Sequence, residues 1–323
     1  MTLAHTLLKA TLTAVAFATL LPAANAQQRR SILDRQPTYQ EFQTRQFGFL
    51  ENGYRTIDLE TCREPDGGAV WWVAVYDHQP VHQGSGGFEL FIEAGGYAQF
   101  AREVRRRRLE GWFVDDWNVA SNGSGWTHHV AILNEAQGSA QHTMRTMDFA
   151  AFNNARLHQV NNNGLRTVDI DVANVNGQTQ FYAIMRPGEG EERMIRENTW
   201  ASFDTVRQHM EGQGWRVRDI AMQQNEYIAV LQPGSGPTMT RTYEDWPALM
   251  SHWAEIDANQ RITTRLKDIE CWVEGGQLRY AALYRGPART RVGAEAARPP
   301  VAADPNAGQR PAPSGPVADP DPN

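Results

Sequence analysis

Positive charge, lysine, cysteine and long apolar runs are all scarce in this 323-residue chain, and each scarcity removes a class of protein. With 31 basic against 37 acidic side chains the formal net charge is −6. Phosphate backbones are bound by basic surfaces, so a nucleic-acid partner is not expected. The apolar stretch from Ala10 to Leu21 is about a dozen residues, short of the roughly 20 that span a bilayer, and no transmembrane segment is expected. Beyond the first turns of sequence the sole lysine is Lys267, with Thr264 three places before it, so the Ser-x-x-Lys pair of a β-lactamase-like nucleophile cannot be made. A Gly-x-Ser-x-Gly elbow is missing too, since Gln83, Asn122 and Pro233 stand two places before Ser85, Ser124 and Ser235. Neither a His-Glu-x-x-His helix nor a glycine-rich phosphate loop leading into a lysine occurs. His78 and His82 have metal-like spacing, but Pro80 breaks the helix that would align them. No catalytic residue, metal or cofactor is assigned.

What the chain does have is a core-forming composition, 41% apolar and 10% aromatic, with a mean hydropathy of −0.55. Residues 1–26 read as a secretory signal peptide: His5 and Lys9, the short apolar stretch, Pro22, and the small-x-small site ending at Ala26. A secreted or periplasmic protein is expected, beginning with a short segment over 27–35. After Pro287 the sequence turns to Ala, Pro, Gly and Asp, and 288–323 is expected to be a disordered tail with little apolar area to bury.

Between these ends, one pattern returns five times. Its first half is an apolar helical stripe, Gly, a large residue, Arg, two residues, Asp and an apolar residue. Gly164-Leu165-Arg166-Thr167-Val168-Asp169-Ile170 is a full copy, and Asp58, Asp116, Asp219 and Asp268 mark the others. The second half is a large residue, any residue, Ala, an aliphatic and a large apolar residue, as in Phe181-Tyr182-Ala183-Ile184-Met185. Turn-forming residues such as Asn176-Gly177 and Gly275-Gly276 lie between the halves and predict a hairpin. Trp200, Phe203, Val206 and Met210 fall on one helical stripe upstream. Thr38 with Glu41 fits a capping box, and Thr199 and Thr242 are predicted N-caps. Each unit is therefore read as helix, Gly, strand, turn, strand, at about 36–80, 94–137, 146–190, 197–238 and 240–287. The predicted fold is α+β: about ten antiparallel strands in a curved sheet, as a half-barrel or a closed barrel-like array, with five packed helices making one repeat domain over 36–287.

This repeat resembles the bacterial tandem repeat of polyglycine hydrolase-like proteins, across nearly all of 36–287. The resemblance implies a half-barrel wrapped on a helix, set beside a β-lactamase-like domain that this chain lacks. Phe113 stands where the pattern has Arg, and Thr263 where it has Gly.

The recurring aspartates could form a catalytic or calcium-binding ring. Their regularity favours pairing with an Arg or a backbone donor at each unit boundary, because paired catalytic acids need unlike environments. His129 sits at the repeat's aromatic position and is expected in the core. Trp71, Trp126 and Trp272 are the tryptophans least constrained by the pattern and could line a groove. Arg105, Arg106, Arg107 and Arg108, near the end of the second helix, could meet an acidic partner. Cys62 and Cys271, one in the first unit and one in the fifth, suit a disulfide in an oxidising compartment. Strand parity argues the other way, because Cys62 follows its unit's Asp by four residues and Cys271 by three. The functional expectation is an exported, non-catalytic binding or scaffold module for a protein, peptide or cell-envelope polymer. The alternative is a secreted hydrolase with a site assembled between units.

Overall fold

The computed structural model of the chain describes residues 31–65, 70–78, 89–121, 127–135, 141–223, 225–259 and 264–286. The proposed leader, the tail, Trp126, His82 and Thr263 lie outside them. Each of the five units is a strand, a helix and two more strands. Unit one comprises β1 (Ser31–Gln36), α1 (Tyr39–Glu51), β2 (Tyr54–Arg63) and β3 (Val70–His78), and unit two β4 (Glu89–Ala94), α2 (Tyr97–Leu109), β5 (Trp112–Ser121) and β6 (Thr127–Glu135). Unit three has β7 (His142–Thr146), α3 (Phe149–Asn163), β8 (Leu165–Val175) and β9 (Gln178–Pro187). Units four and five follow as β10 (Arg193–Glu197), α4 (Trp200–Gly212), β11 (Trp215–Gln223), β12 (Glu226–Pro233), then β13 (Thr238–Tyr243), α5 (Trp246–Ala258), β14 (Arg265–Glu274), β15 (Gln277–Arg285).

The α+β class with repeated units is as the sequence pattern implies, with two differences in detail. Every unit carries a third strand ahead of its helix, which pairs antiparallel with the last strand, so the order within each sheet is first, third, second. The strands also do not join into one curved sheet; they form five separate three-stranded sheets. The inner strands β2, β5, β8, β11 and β14 meet their neighbours in turn, and β14 returns to β2. Of the half-barrel and closed arrangements, the chain takes the closed one.

Local chemistry sets each element. Thr38 caps α1 in the expected box, its Oγ1 accepting from the Glu41 N–H at 3.2 Å and donating to the Glu41 carboxylate at 2.9 Å. Thr199 caps α4 through the Ser202 N–H. For α5 the cap is Asp245, whose Oδ1 accepts from the Ala248 N–H at 2.8 Å, while Thr242 belongs to β13. The short side chain closest to the first helical turn wins the capping role, and Pro247 just behind it suits a position whose N–H has no helical partner. The helix-stop glycines take positive φ, 63° at Gly164 and 89° at Gly214, where a Cβ would be strained.

Five apolar cores hold the ring, and each is shared between two units. The unit-three core joins Phe152, Ile170, Val172, Phe181, Ala183 and Met185 to Ala221, Ile228 and Val230 of unit four. The other cores repeat this plan, and unit five with Leu249, Trp253, Ile269 and Tyr280 closes on Leu33, Val73 and Val75 of unit one. The last strand is therefore covered on both faces, by its own unit's helix on one side and the preceding unit on the other. In every inner strand the register skips one residue just before the Asp, a β-bulge between Thr167 and Asp169 in unit three. The skip lets Val217 and Ile220, three apart, both enter the unit-four core, which an unbroken strand would forbid.

Because each unit lends half of two cores, residues 193–233 expressed alone are expected to show no cooperative melt. A sigmoidal thermal transition for that fragment would refute the shared-core account.

The ring is closed covalently. Cys62 and Cys271 form a disulfide with Cα atoms 5.7 Å apart. Their opposite parity is what pairing requires. The two faces of an inner strand look toward different neighbours: Cys271 looks forward and Cys62 backward, into the same core between units five and one.

Candidate functional site

The five aspartates are the hub of the ring. Each accepts the N–H that follows the Asp of the preceding unit: Leu59 donates to Asp116 Oδ2 at 2.9 Å, Trp117 to Asp169 at 3.1 Å and Ile170 to Asp219 at 2.7 Å. Ile220 donates to Asp268 at 3.0 Å and Ile269 to Asp58 at 2.8 Å, which completes the cycle. This is the boundary-pairing role that regular repetition favours, with backbone rather than Arg as the donor. Bulged residues would otherwise leave these buried N–H groups unpaired.

Eight buried carboxyls around the axis titrate above the ordinary carboxylate range. Burial is the first cause at every one, and charge on neighbouring carboxyls adds to it at Asp58 and Asp268. Asp171 is pushed up to about 7 and Asp219 to about 6, the latter tempered by hydrogen bonding and by Arg218 and Arg285. Asp169 hydrogen-bonds Asp116, and Asp268 hydrogen-bonds Asp219. The coupling acts with opposite sign on the two members of each pair, raising Asp169 and Asp268 and easing Asp116 and Asp219.

A second tier lies two residues farther along each inner strand, at Glu60, Asn118, Asp171, Ala221 and Glu270. The Thr61 N–H donates to Asn118 Oδ1, Val119 to Asp171 and Met222 to Glu270. Ala221 has nothing to offer, and the Val172 N–H turns to its own Asp171 instead. Asn118 Nδ2 also donates to Glu60 Oε2 at 2.6 Å.

This tier floors a cavity of about 520 Å³ at the C-terminal end of the inner strands, to which all five units contribute. Glu60, Asp171 and Glu270 are 5%, 5% and 4% exposed. Val119, Val172 and Met222 border it from strands whose side chains at these positions turn away into the inter-unit cores, and Arg63 is the cation among the described lining residues. Two buried polar atoms on the lining have no hydrogen-bond partner among the described residues, Trp272 Nε1 and Asn174 Oδ1. Burial and neighbouring acidic charge hold Glu60 and Glu270 well above the usual range.

No protein-family model matches the chain, and no curated protein matches it. The site is therefore read from its own residues.

The sequence-derived candidates separate into three groups. Trp272 reaches the cavity, wedged between units four and five and 4% exposed. Trp71 does not; it packs against the core between units five and one under the Arg35 guanidinium at 3.8 Å, with Nε1 donating to Glu64 at 2.7 Å. The arginine run lies on α2, where Arg106 and Arg107 are both paired to Glu103 and Glu110, while Arg105 and Arg108 are exposed. His129 is fully buried, its Nδ1 accepting from Trp117 Nε1 at 3.3 Å, and burial lowers its pKa to about 3. Among the described residues no group of three or more His, Cys, Asp and Glu is disposed to hold a metal ion. The cavity carboxyls Glu60 and Glu270 are absent from the sequence-derived set. Their signal was an acidic residue two places past the repeat's Asp, on a strand otherwise bound for burial.

Proposed function

We propose that the chain is an exported, non-catalytic repeat protein that serves as a binding or scaffold module for a protein, peptide or cell-envelope polymer, with the axial cavity as its seat. The observation that carries this reading is the use of the polar groups there: the floor acids and amides hold the backbone of adjoining units, so they form a fixed surface rather than mobile reagents. The disulfide supports an oxidising compartment, and with it export. The resemblance to polyglycine hydrolase-like repeats supports a supporting rather than a chemical role for such an array.

One observation favours the alternative of a hydrolase assembled between units. Glu60, Asp171 and Glu270 come from three units onto one cavity and titrate high, as a general acid must. Incubating the purified chain with a panel of glycoside, peptide and ester substrates decides between the two. The expected outcome is no turnover that Glu270→Gln abolishes, together with retention of an envelope peptide or polymer that the same substitution weakens. Turnover lost in the variant would establish the hydrolase instead.

A further inference from the structure

We propose a second site, apart from the axial cavity: a groove between units four and five that takes the arginine side chain of a peptide partner, whose guanidinium completes a stack the chain builds for itself at three other boundaries.

Every helix opens on an aromatic residue, Tyr39, Tyr97, Phe149, Trp200 and Trp246. At three boundaries the next unit lays a guanidinium on that ring. Arg145 stands over Tyr97 at 4.8 Å, Arg196 over Phe149 at 4.6 Å and Arg35 over Trp246 at 5.3 Å. The three arginines hold one register place in their first strands, opposite Tyr182, Ile228 and Val73, each just before the repeat's Ala. The hairpin of the same unit supplies an acceptor. Arg145 Nε donates to Gln180 at 2.9 Å and Arg196 Nε to Glu226 at 2.7 Å, while Arg35 lies 3.9 Å from Glu64. Between units one and two the place belongs to Glu93, opposite Val130 and bonded to His128 at 2.9 Å.

Between units four and five, two of the three parts are present. Trp200 offers its ring, half-buried against Phe203 and Tyr227. Glu274 offers the acceptor, six residues past Asp268 as Glu64 is past Asp58, and its Oε1 receives the Tyr227 hydroxyl at 3.5 Å. The guanidinium is missing. Thr242 holds the register place, opposite Ala281, and carries no charge. Among the described residues no cation lies over Trp200. A cavity of about 320 Å³ is found there instead, bordered by Trp200, Tyr227, Thr242, Glu244, Glu274 and Arg279.

Arg279 is not the missing part. It stands where unit one has Trp71, with Nη1 donating to the Glu244 carbonyl at 3.3 Å and Nε 4.0 Å from Glu274. Glu244 and Glu274 against Arg279 leave one negative charge in excess on the described lining, the complement of a single cation. A guanidinium suits the seat better than an ammonium, because its plane stacks on an indole while its edge forks to a carboxylate. The cavity is large enough for an arginine side chain and part of the backbone that carries it. One stack and one solvent-exposed ion pair make a weak site, of millimolar order.

Titration of the full chain, disulfide intact, with acetyl-Gly-Arg-Gly-amide tests this by nuclear magnetic resonance, following the Trp200 indole N–H. The citrulline counterpart keeps the planar shape without the charge, and the lysine counterpart keeps the charge without the plane. Saturable movement of the Trp200 signal by the arginine peptide, weakened about tenfold or more with citrulline, is the expected result. Thr242→Arg should supply the guanidinium from within, shift the Trp200 signal before any peptide is added, and abolish binding. Should that variant fold poorly, Glu274→Gln should weaken the arginine peptide and leave the citrulline peptide unchanged. Equal binding of the arginine and citrulline peptides, tighter binding of the lysine peptide, or undiminished binding to folded Thr242→Arg overturns the inference. Binding that appears only after Arg289, Arg291, Arg298 and Arg310 are all changed to Gln would give the seat to the chain's own tail and overturn the external partner. None of these failures touches the axial reading, which is judged by Glu270→Gln.

Discussion

Reduction of the Cys62–Cys271 bridge is expected to destabilise the chain by about 5 kcal/mol in the chain-entropy model, because the bond ties residues 209 apart. The loss should also be local in its first expression. Without the bond the seam between units five and one is still held by Ile269 N–H on Asp58, by Lys267 and Arg265 on Asp77, and by the core around Trp253 and Tyr280. These contacts bring together distant parts of the chain, and closing so long a loop is what the bond makes unnecessary. Urea unfolding of the oxidised protein against a Cys62→Ala/Cys271→Ala variant measures the total. Amide exchange should show the protection of Ile269 and its β14 neighbours falling before that of Ile170 in β8. Uniform loss of protection, or a stability difference under about 1 kcal/mol, would mean that the denatured chain without the bond is already compact enough to keep its ends close.

The second large effect is on pH. Groups whose folded pKa is raised stabilise the fold fully below their unfolded pKa and lose that contribution as pH climbs through the folded value. Asp171, raised to about 7, and Asp219, raised to about 6, therefore predict maximal stability near pH 4 and a decline toward pH 8. For Asp171 alone the decline is on the order of 4 kcal/mol, taking about three pKa units at 1.36 kcal/mol each. Burial causes the rise, and the groups facing these acids include Asp116, Asp169, Asp268, Glu60 and Glu270 as well as Arg218 and Arg285. Asp171→Asn keeps an acceptor for the Val119 N–H and cannot ionise, so its melting temperature should fall less between pH 5 and 8 than that of the parent. An identical pH slope in the two proteins would remove Asp171 from the account. Asp171→Ala, by contrast, strands that N–H and should cost about 1–3 kcal/mol at every pH.

Sequence periodicity made the repeat, the hairpins and four helix stops legible, because each rests on residues with few alternatives, such as Gly164 and Asn176-Gly177. The edge strands were not legible. His142–Thr146 and Arg193–Glu197 are short and half-buried, and share with Ser31–Gln36 only one arginine at a common register position, Arg145, Arg196 and Arg35. Their strand character comes from pairing with β9, β12 and β3, which no local pattern records. The disulfide was half legible: the compartment pointed to it, while parity misled until the forward and backward faces of neighbouring strands were distinguished. The first tier of the axis was visible as the repeated Asp. The second was hidden by its variability, since Glu60, Asn118, Asp171, Ala221 and Glu270 look unrelated until they are stacked on one axis.

That variability breaks a degeneracy. A perfectly five-fold funnel would seat an asymmetric guest in five equivalent orientations about its axis, each as good as the next. Alanine at 221 leaves the unit-four direction without an acceptor, while the unit-one, unit-three and unit-five directions keep carboxyls. Unit four offers instead the amide of Gln223, two places farther along its strand, so carboxyls and amides stand unevenly around the axis. The orientational freedom given up is at most RT ln 5, about 1 kcal/mol.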